Sequence, residues 1–264
     1  MSDWIHALPT VWMAVVIFAA TYLAATVIYL VVLALAVGDR ARAFKAVSPG
    51  LLPPLGILFG LLVAFLAAQA WGDVDRAHTA VNHEASALRA VILLSESFPG
   101  DTESRLRALI RQHIHDAQTD EWPAMAGRRA TLTVIPASLA QALQTTLALA
   151  TQGEGQVAAQ RAIVAALENA LDARRQRILI SQSEVNLIKW ICLILQAIGM
   201  LTAVAMVHSD NRAAARFGMG VFSTAIAVCI LLIAAHDRPF TGQNAVQPTP
   251  LLQVQPDESA KPAA

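Results

Sequence analysis

The chain has 264 residues, 56% of them hydrophobic and only 14% charged, and its 19 Lys+Arg balance its 19 Asp+Glu to a formal charge of zero. A soluble domain carries about 25% charged residues. A general nucleic-acid binder shows a basic patch, and none stands out here. The deficit is local: no Asp, Glu, Lys or Arg lies between Asp3 and Asp39, Lys45 and Asp73, Lys189 and Asp210, or Arg216 and Asp237. Each window holds the roughly 20 apolar residues that cross a hydrocarbon core of about 30 Å.

In chain order, the first predicted span is residues 11–37, with Trp4 and Trp12 near its start as interfacial anchors. It lacks a basic start and exceeds the ~7–15-residue core of a signal peptide, which predicts a retained anchor. Tyr22, Thr26 and Tyr29 give it one hydroxyl-bearing face, expected to pack on protein. The second span is 51–71, opening after Ser48-Pro49-Gly50 with Pro53-Pro54 in its first turn.

Charges of both signs then return, and residues 73–188 read as a soluble helical domain. Val74, Ala77, Val81, Leu88 and Val91 continue a helical stripe out of the second span, predicting one long helix as far as Pro99-Gly100. Leu106, Leu109, Ile110, His113, Ile114 and Ala117 form a second stripe, with Asp101 or Thr102 as N-cap. A third holds Ile135, Leu139, Leu143, Leu147 and Ala150. Val157, Val164, Leu171, Ile178 and Val185 recur every seven residues, flanked by Leu167 and Ile188, and run on into the third span; Arg174 and Ser181 interrupt that flank. The third span is 190–208 and the fourth 217–236. The Pro-rich segment 237–264 reads as an extended, largely disordered tail beyond its first residues. The predicted fold class is thus an all-α integral membrane protein, with four transmembrane helices and a helical-bundle soluble domain between the second and third.

Arg40, Arg42 and Lys45 crowd one short loop and Arg212 and Arg216 another, whereas the N-terminal segment has no Lys or Arg. The positive-inside rule places those loops in the cytoplasm of a bacterial inner membrane, with both termini and the helical domain periplasmic.

No phosphate loop, dinucleotide fingerprint or HExxH motif is present, so no enzyme activity and no cofactor are expected. His113 and His115 are two apart and point to different sides of a helix; His78, His83 and Glu84 make no better metal set. These histidines read as solvated or satisfied, with no metal site. Cys192 and Cys229 read as small buried hydrophobes. The charge-free spans disfavour an ion-coupled carrier but suit a passive pore, which a hydrophobic constriction can gate. In the second span Gly56 and Gly60 form a GxxxG pair open to close helix approach. Ile57, Leu61 and Phe65 lie four apart on one stripe. That stripe is either ordinary packing or lipid-facing surface, or the neck of a pore built from several copies.

Several ordered motifs then carry a resemblance: Gly56-Ile57-Leu58-Phe59-Gly60, Ala68-Gln69-Ala70-Trp71-Gly72-Asp73, Val81-Asn82-His83-Glu84-Ala85, Glu121-Trp122-Pro123-Ala124-Met125, and Asp237-Arg238-Pro239-Phe240-Thr241-Gly242. Over about 50–252 the chain resembles a bestrophin-like family of uncharacterised bacterial membrane proteins. The resemblance implies kinship with pentameric chloride-permeable channels, hence a homo-oligomer in the lipid bilayer with small anions as permeant species. It places Ile57 and Leu61 at neck positions, although a bestrophin neck is aromatic and these are aliphatic. The acidic calcium clasp of animal bestrophins is not recognisable, and bestrophins keep their helical region cytosolic, against the charge pattern. Asp237-Arg238-Pro239-Phe240 either docks against Trp122 or the long helix, or simply caps the fourth span. Glu121-Trp122-Pro123 reads as a helix end with a buried indole. An anchored sensor or scaffold without transport is the alternative function.

Overall fold

The computed structural model describes residues 8–209 and 211–256, with the backbone alone at 45 and 47–49. Trp4, the Lys45 side chain and residues 257–264 of the tail lie outside the described residues. Among the described residues the fold is all-α, and four of its helices are long and apolar enough to cross a membrane. The chain divides into two compact units. One comprises residues up to Gly72, Glu184–Arg238 and Gly242–Asn244; the other comprises Asp73–Ser183, Pro239–Thr241 and residues from Ala245 on.

The first is the membrane unit. Helix α1 (Thr10–Leu35) has 26 residues, about 39 Å at about 1.5 Å each, more than a bilayer core requires. Helix α2 (Asp39–Ser95) runs unbroken for 57 residues and belongs to both units. The expected loop around Arg40 and Arg42 is therefore mostly helix, and Pro53 and Pro54 sit well inside α2. In hydrocarbon a broken helix leaves bare backbone groups, so prolines within a span are tolerated better than an unwound turn. Helices α7 (Leu187–Val207) and α8 (Arg212–His236) complete this unit. Its core joins Ile17 of α1, Phe59 and Leu66 of α2, Leu193 and Leu201 of α7, and Ile226 and Ile233 of α8. The hydroxyl face of α1 finds protein as expected: the Tyr22 hydroxyl and Thr224 Oγ1 are 2.7 Å apart. Cys192, expected to be buried, is exposed.

The helical unit holds the rest of α2, then α3 (Asp101–Asp116), a π-helical turn (Ala117–Glu121), α4 (Trp122–Ala126), α5 (Ala137–Leu147), α6 (Glu154–Ser181) and α9 (Thr249–Gln253). Gly100, not Asp101 or Thr102, is the N-cap of α3, and its φ of 93° lies where a side chain would be strained. The stripes on α2 and α3 form the core, with Ala77, Val81, Leu88, Val91, Leu106, Ile110 and Ile114 all buried. In the third stripe only Leu139 is fully buried, while Ile135 and Leu147 are exposed. The buried face of α6 is Ala159, Ile163, Ala166, Leu167, Ala170, Ala173, Arg174, Arg177, Ile178 and Ser181. The seven-residue repeat meets it at Ile178, whereas Val157, Val164 and Leu171 are only partly buried. Alanines let neighbouring helices sit close, and a search for large apolar residues overlooks them.

Two further expectations are corrected. The seam does not run into the third span: α6 ends at Ser181, and α7 begins after Asn186, whose side chain accepts the Ile188 N–H at 3.0 Å. With no Gly or Pro in Gln182–Asn186, the break is carried by caps instead. The Val185 N–H donates to Asp237 at 2.6 Å, and Arg238 pairs with Glu184 at 3.2 Å. Nor are the first twenty residues of the tail free chain. Phe240, Val246 and Leu251 are buried in the helical unit, and Thr249–Gln253 is helical.

Candidate functional site

On the membrane part of α2 the side chains divide cleanly. Phe59, Leu66, Ala67 and Ala70 are buried, whereas Ile57, Leu61 and Phe65 are 65%, 52% and 73% exposed. An added Cβ at Gly56 or Gly60 meets nothing within 4 Å, so the close approach expected of the GxxxG pair does not occur among the described residues. The stripe and the glycines therefore share an unpartnered arc of the helix. Trp71 near its end is half exposed and meets His236 edge-on, ring centroids 6.3 Å apart.

A polar cluster lies inside the helical unit. Glu84 is fully buried on α2, at positions +3 from Val81 and −4 from Leu88, which put its carboxylate into the apolar stripe. Arg177 of α6, also fully buried, donates from Nε to Glu84 Oε2 at 2.8 Å and from Nη2 to Oε1 at 3.1 Å. The same Nη2 reaches Glu121 at 2.8 Å, and Arg174 donates from Nε to Glu121 at 2.7 Å. His113 Nε2 lies 2.9 Å from Glu84 Oε1. An ionised carboxylate only accepts, so Nε2 carries the proton. Burial opposes ionisation of Glu84, but the charge of Arg177 and the hydrogen bonds from His113 and Arg177 outweigh it, and its pKa falls from 4.5 to about 2. Arg177 is likewise opposed by burial, yet Glu84 and Glu121 push its pKa upward, so it stays charged. Two carboxylates and two guanidiniums cancel.

Around this cluster the family motifs meet. The Arg177 guanidinium sits 4.4 Å from the Trp122 ring centre, a cation–π contact. Trp122 Nε1–H donates to the Val246 carbonyl at 2.9 Å, and its ring meets Phe240 edge-on at 6.0 Å. The π-helical turn ends at Glu121, and Pro123 follows in the first turn of α4. Asp73 is buried and pairs with Arg76 one turn on. Of the Asp237–Phe240 motif, Asp237 and Arg238 bind the α6–α7 connection, Pro239 accepts the Val246 N–H through its carbonyl at 2.8 Å, and Phe240 docks on Trp122. Arg174, Arg177 and His113 contact Glu84 or Glu121 of these motifs but lie outside the motifs themselves. Their signal was present as polar residues standing on otherwise apolar faces. Geometrically the cluster is a clamp joining α2, α3, α4 and α6.

The Bestrophin-like domain family matches residues 9–251 of the chain. No curated protein matches it. Among solved structures, it is similar to a bacterial bestrophin homologue from Klebsiella pneumoniae carrying a point mutation, with a TM-score of 0.66 and 11% identity over 92% of this chain and 96% of that one. At that identity the likeness concerns the fold alone, and the fold and the family together support a channel-type function. The match spans nearly all of the described helices, and the chain belongs to the Bestrophin-like family.

Proposed function

We propose that the protein is one subunit of an oligomeric channel that passes small anions through a hydrophobic neck formed by α2. Ile57, Leu61 and Phe65 from each copy narrow the path, and Gly56 and Gly60 let neighbouring helices approach. The observation that carries this reading is the exposure of those three apolar side chains, at 65%, 52% and 73%, on one arc of a family member's second span. A ring of such side chains excludes water unless it widens, which suits a gate. Five copies follow from the family resemblance. The basic residues Arg40, Arg42, Arg212 and Arg216 at the span ends support a bacterial inner-membrane location with the helical unit and termini periplasmic; a phosphatase reporter fused to the C-terminus is then active, and an inactive fusion reverses the orientation.

The channel reading is tested by chloride efflux from liposomes holding the purified protein beside an Ile57→Ala/Leu61→Ala variant. Trimming the neck is expected to raise efflux several-fold. Correctly inserted protein without efflux, across several anions and pH values, replaces the channel with an anchored sensor or scaffold.

A further inference from the structure

A ring of more than two copies needs a heterologous contact, so one chain must carry two different, matching surfaces. The helical unit carries such a pair. Between α2 and α6 runs an open groove of about 630 Å³, walled by Ala87 and Ala90 on one helix and by Ala162 and Ala165 on the other. Its charged lining side chain is Asp172, with His83 as the other titratable group. The loop joining α4 to α5 is its complement. Leu132, Val134 and Ile135 project from it at 41%, 66% and 71% exposure. From Gly127 to Gly153 the sequence has no acidic residue, while Arg128 and Arg129 are both basic. A projection with apolar side chains and two basic neighbours, and an alanine-walled recess that carries Asp172, therefore sit on the same unit.

They also face apart. At about 100° per residue, Ala162, Ala166, Asn169, Ala173 and Gln176 share the groove face of α6. Arg174, whose Nη2 holds the Val134 carbonyl at 3.2 Å, leaves the helix well over 90° away from that face. A projection and recess on different sides of one unit suit head-to-tail contact between neighbours. The alanines leave room that larger groove residues would fill, and Arg129 on the loop brings a cation toward Asp172.

We infer that the 131–135 loop of one copy seats in the α2–α6 groove of the next, and that this contact closes the ring. The inference rests on the oligomeric reading above. Its test uses the full chain with Cys192→Ala and Cys229→Ala, carrying Val134→Cys, Ala165→Cys, or both. On oxidation the double variant is expected to give a ladder of cross-linked multimers that reductant collapses, while each single variant stays at the monomer band. Native mass spectrometry of the same unoxidised samples separates the failures. An oligomer without a ladder overturns the loop-in-groove contact and leaves the channel reading standing. A self-linking single variant overturns it too, because it marks a two-fold contact. Monomers alone overturn both the contact and the oligomeric channel.

Discussion

Arg177 and Glu84 show how much one misplaced-looking charge can organise. Breaking a buried pair from one side leaves an uncompensated charge, so Arg177→Ala is expected to cost about 3–5 kcal/mol. A thermal melt of the detergent-solubilised protein followed by circular dichroism measures it. Because the fold holds the Glu84 pKa near 2 against 4.5 when free, the native state refuses a proton that the unfolded chain accepts below pH 4.5. The stabilisation is complete above pH 4.5 and is lost as pH falls toward 2, to a total of about 3 kcal/mol. Melts at pH 7, 5 and 3 should show that fall, and Glu84→Gln should flatten it; identical slopes for both proteins refute the assignment. At this scale the sequence was partly legible. Glu84 and Arg174 stand out as polar residues on apolar stripes, but pairing them across 93 and 53 residues of chain, as in Glu84–Arg177 and Glu121–Arg174, requires the folded arrangement.

Elements were read best where physics leaves few choices. Charge-free windows longer than a bilayer is thick can only be spans, and stripes at a 3.6-residue period on α2 and α3 do form the core. Caps were harder. The α6–α7 break has no Gly or Pro and depends on Asn186, and its substitution by Ala is expected to cost about 1 kcal/mol, visible as faster amide exchange across 182–190. Composition misread the segment after His236, because its five prolines suggest disorder while three well-spaced apolar residues, Phe240, Val246 and Leu251, suffice to dock it. Removing the aromatic anchor should release that segment: Phe240→Ala is expected to lose about 3 kcal/mol and to open 243–256 to limited proteolysis, with wild type resistant. Equal digestion of both proteins would show that the segment is held by something other than Trp122.

For the whole molecule, the single chain leaves its second span half clothed. Gly60 has open space around a would-be Cβ, so Gly60→Leu should leave the isolated subunit folded, with an unchanged melt, yet hold α2 helices apart and abolish the oligomer seen by native mass spectrometry. A variant that assembles normally would remove the glycine face from the account. No pattern within one chain can distinguish a stripe that faces lipid from one that faces its own copies, because both are apolar and both are exposed in the protomer.

Substituted-cysteine accessibility separates the two directly. In a Cys192→Ala/Cys229→Ala background, cysteines are placed at Ile57, Leu61 or Phe65, and at Leu23 of α1 or Val221 of α8, which are 67% and 52% exposed. Chloride current in planar bilayers is then recorded before and after a membrane-impermeant thiol reagent. The account predicts block at the three α2 positions and none at Leu23 or Val221. Current that is untouched at all three α2 positions, or blocked equally at the control sites, would contradict a neck built from the second helix.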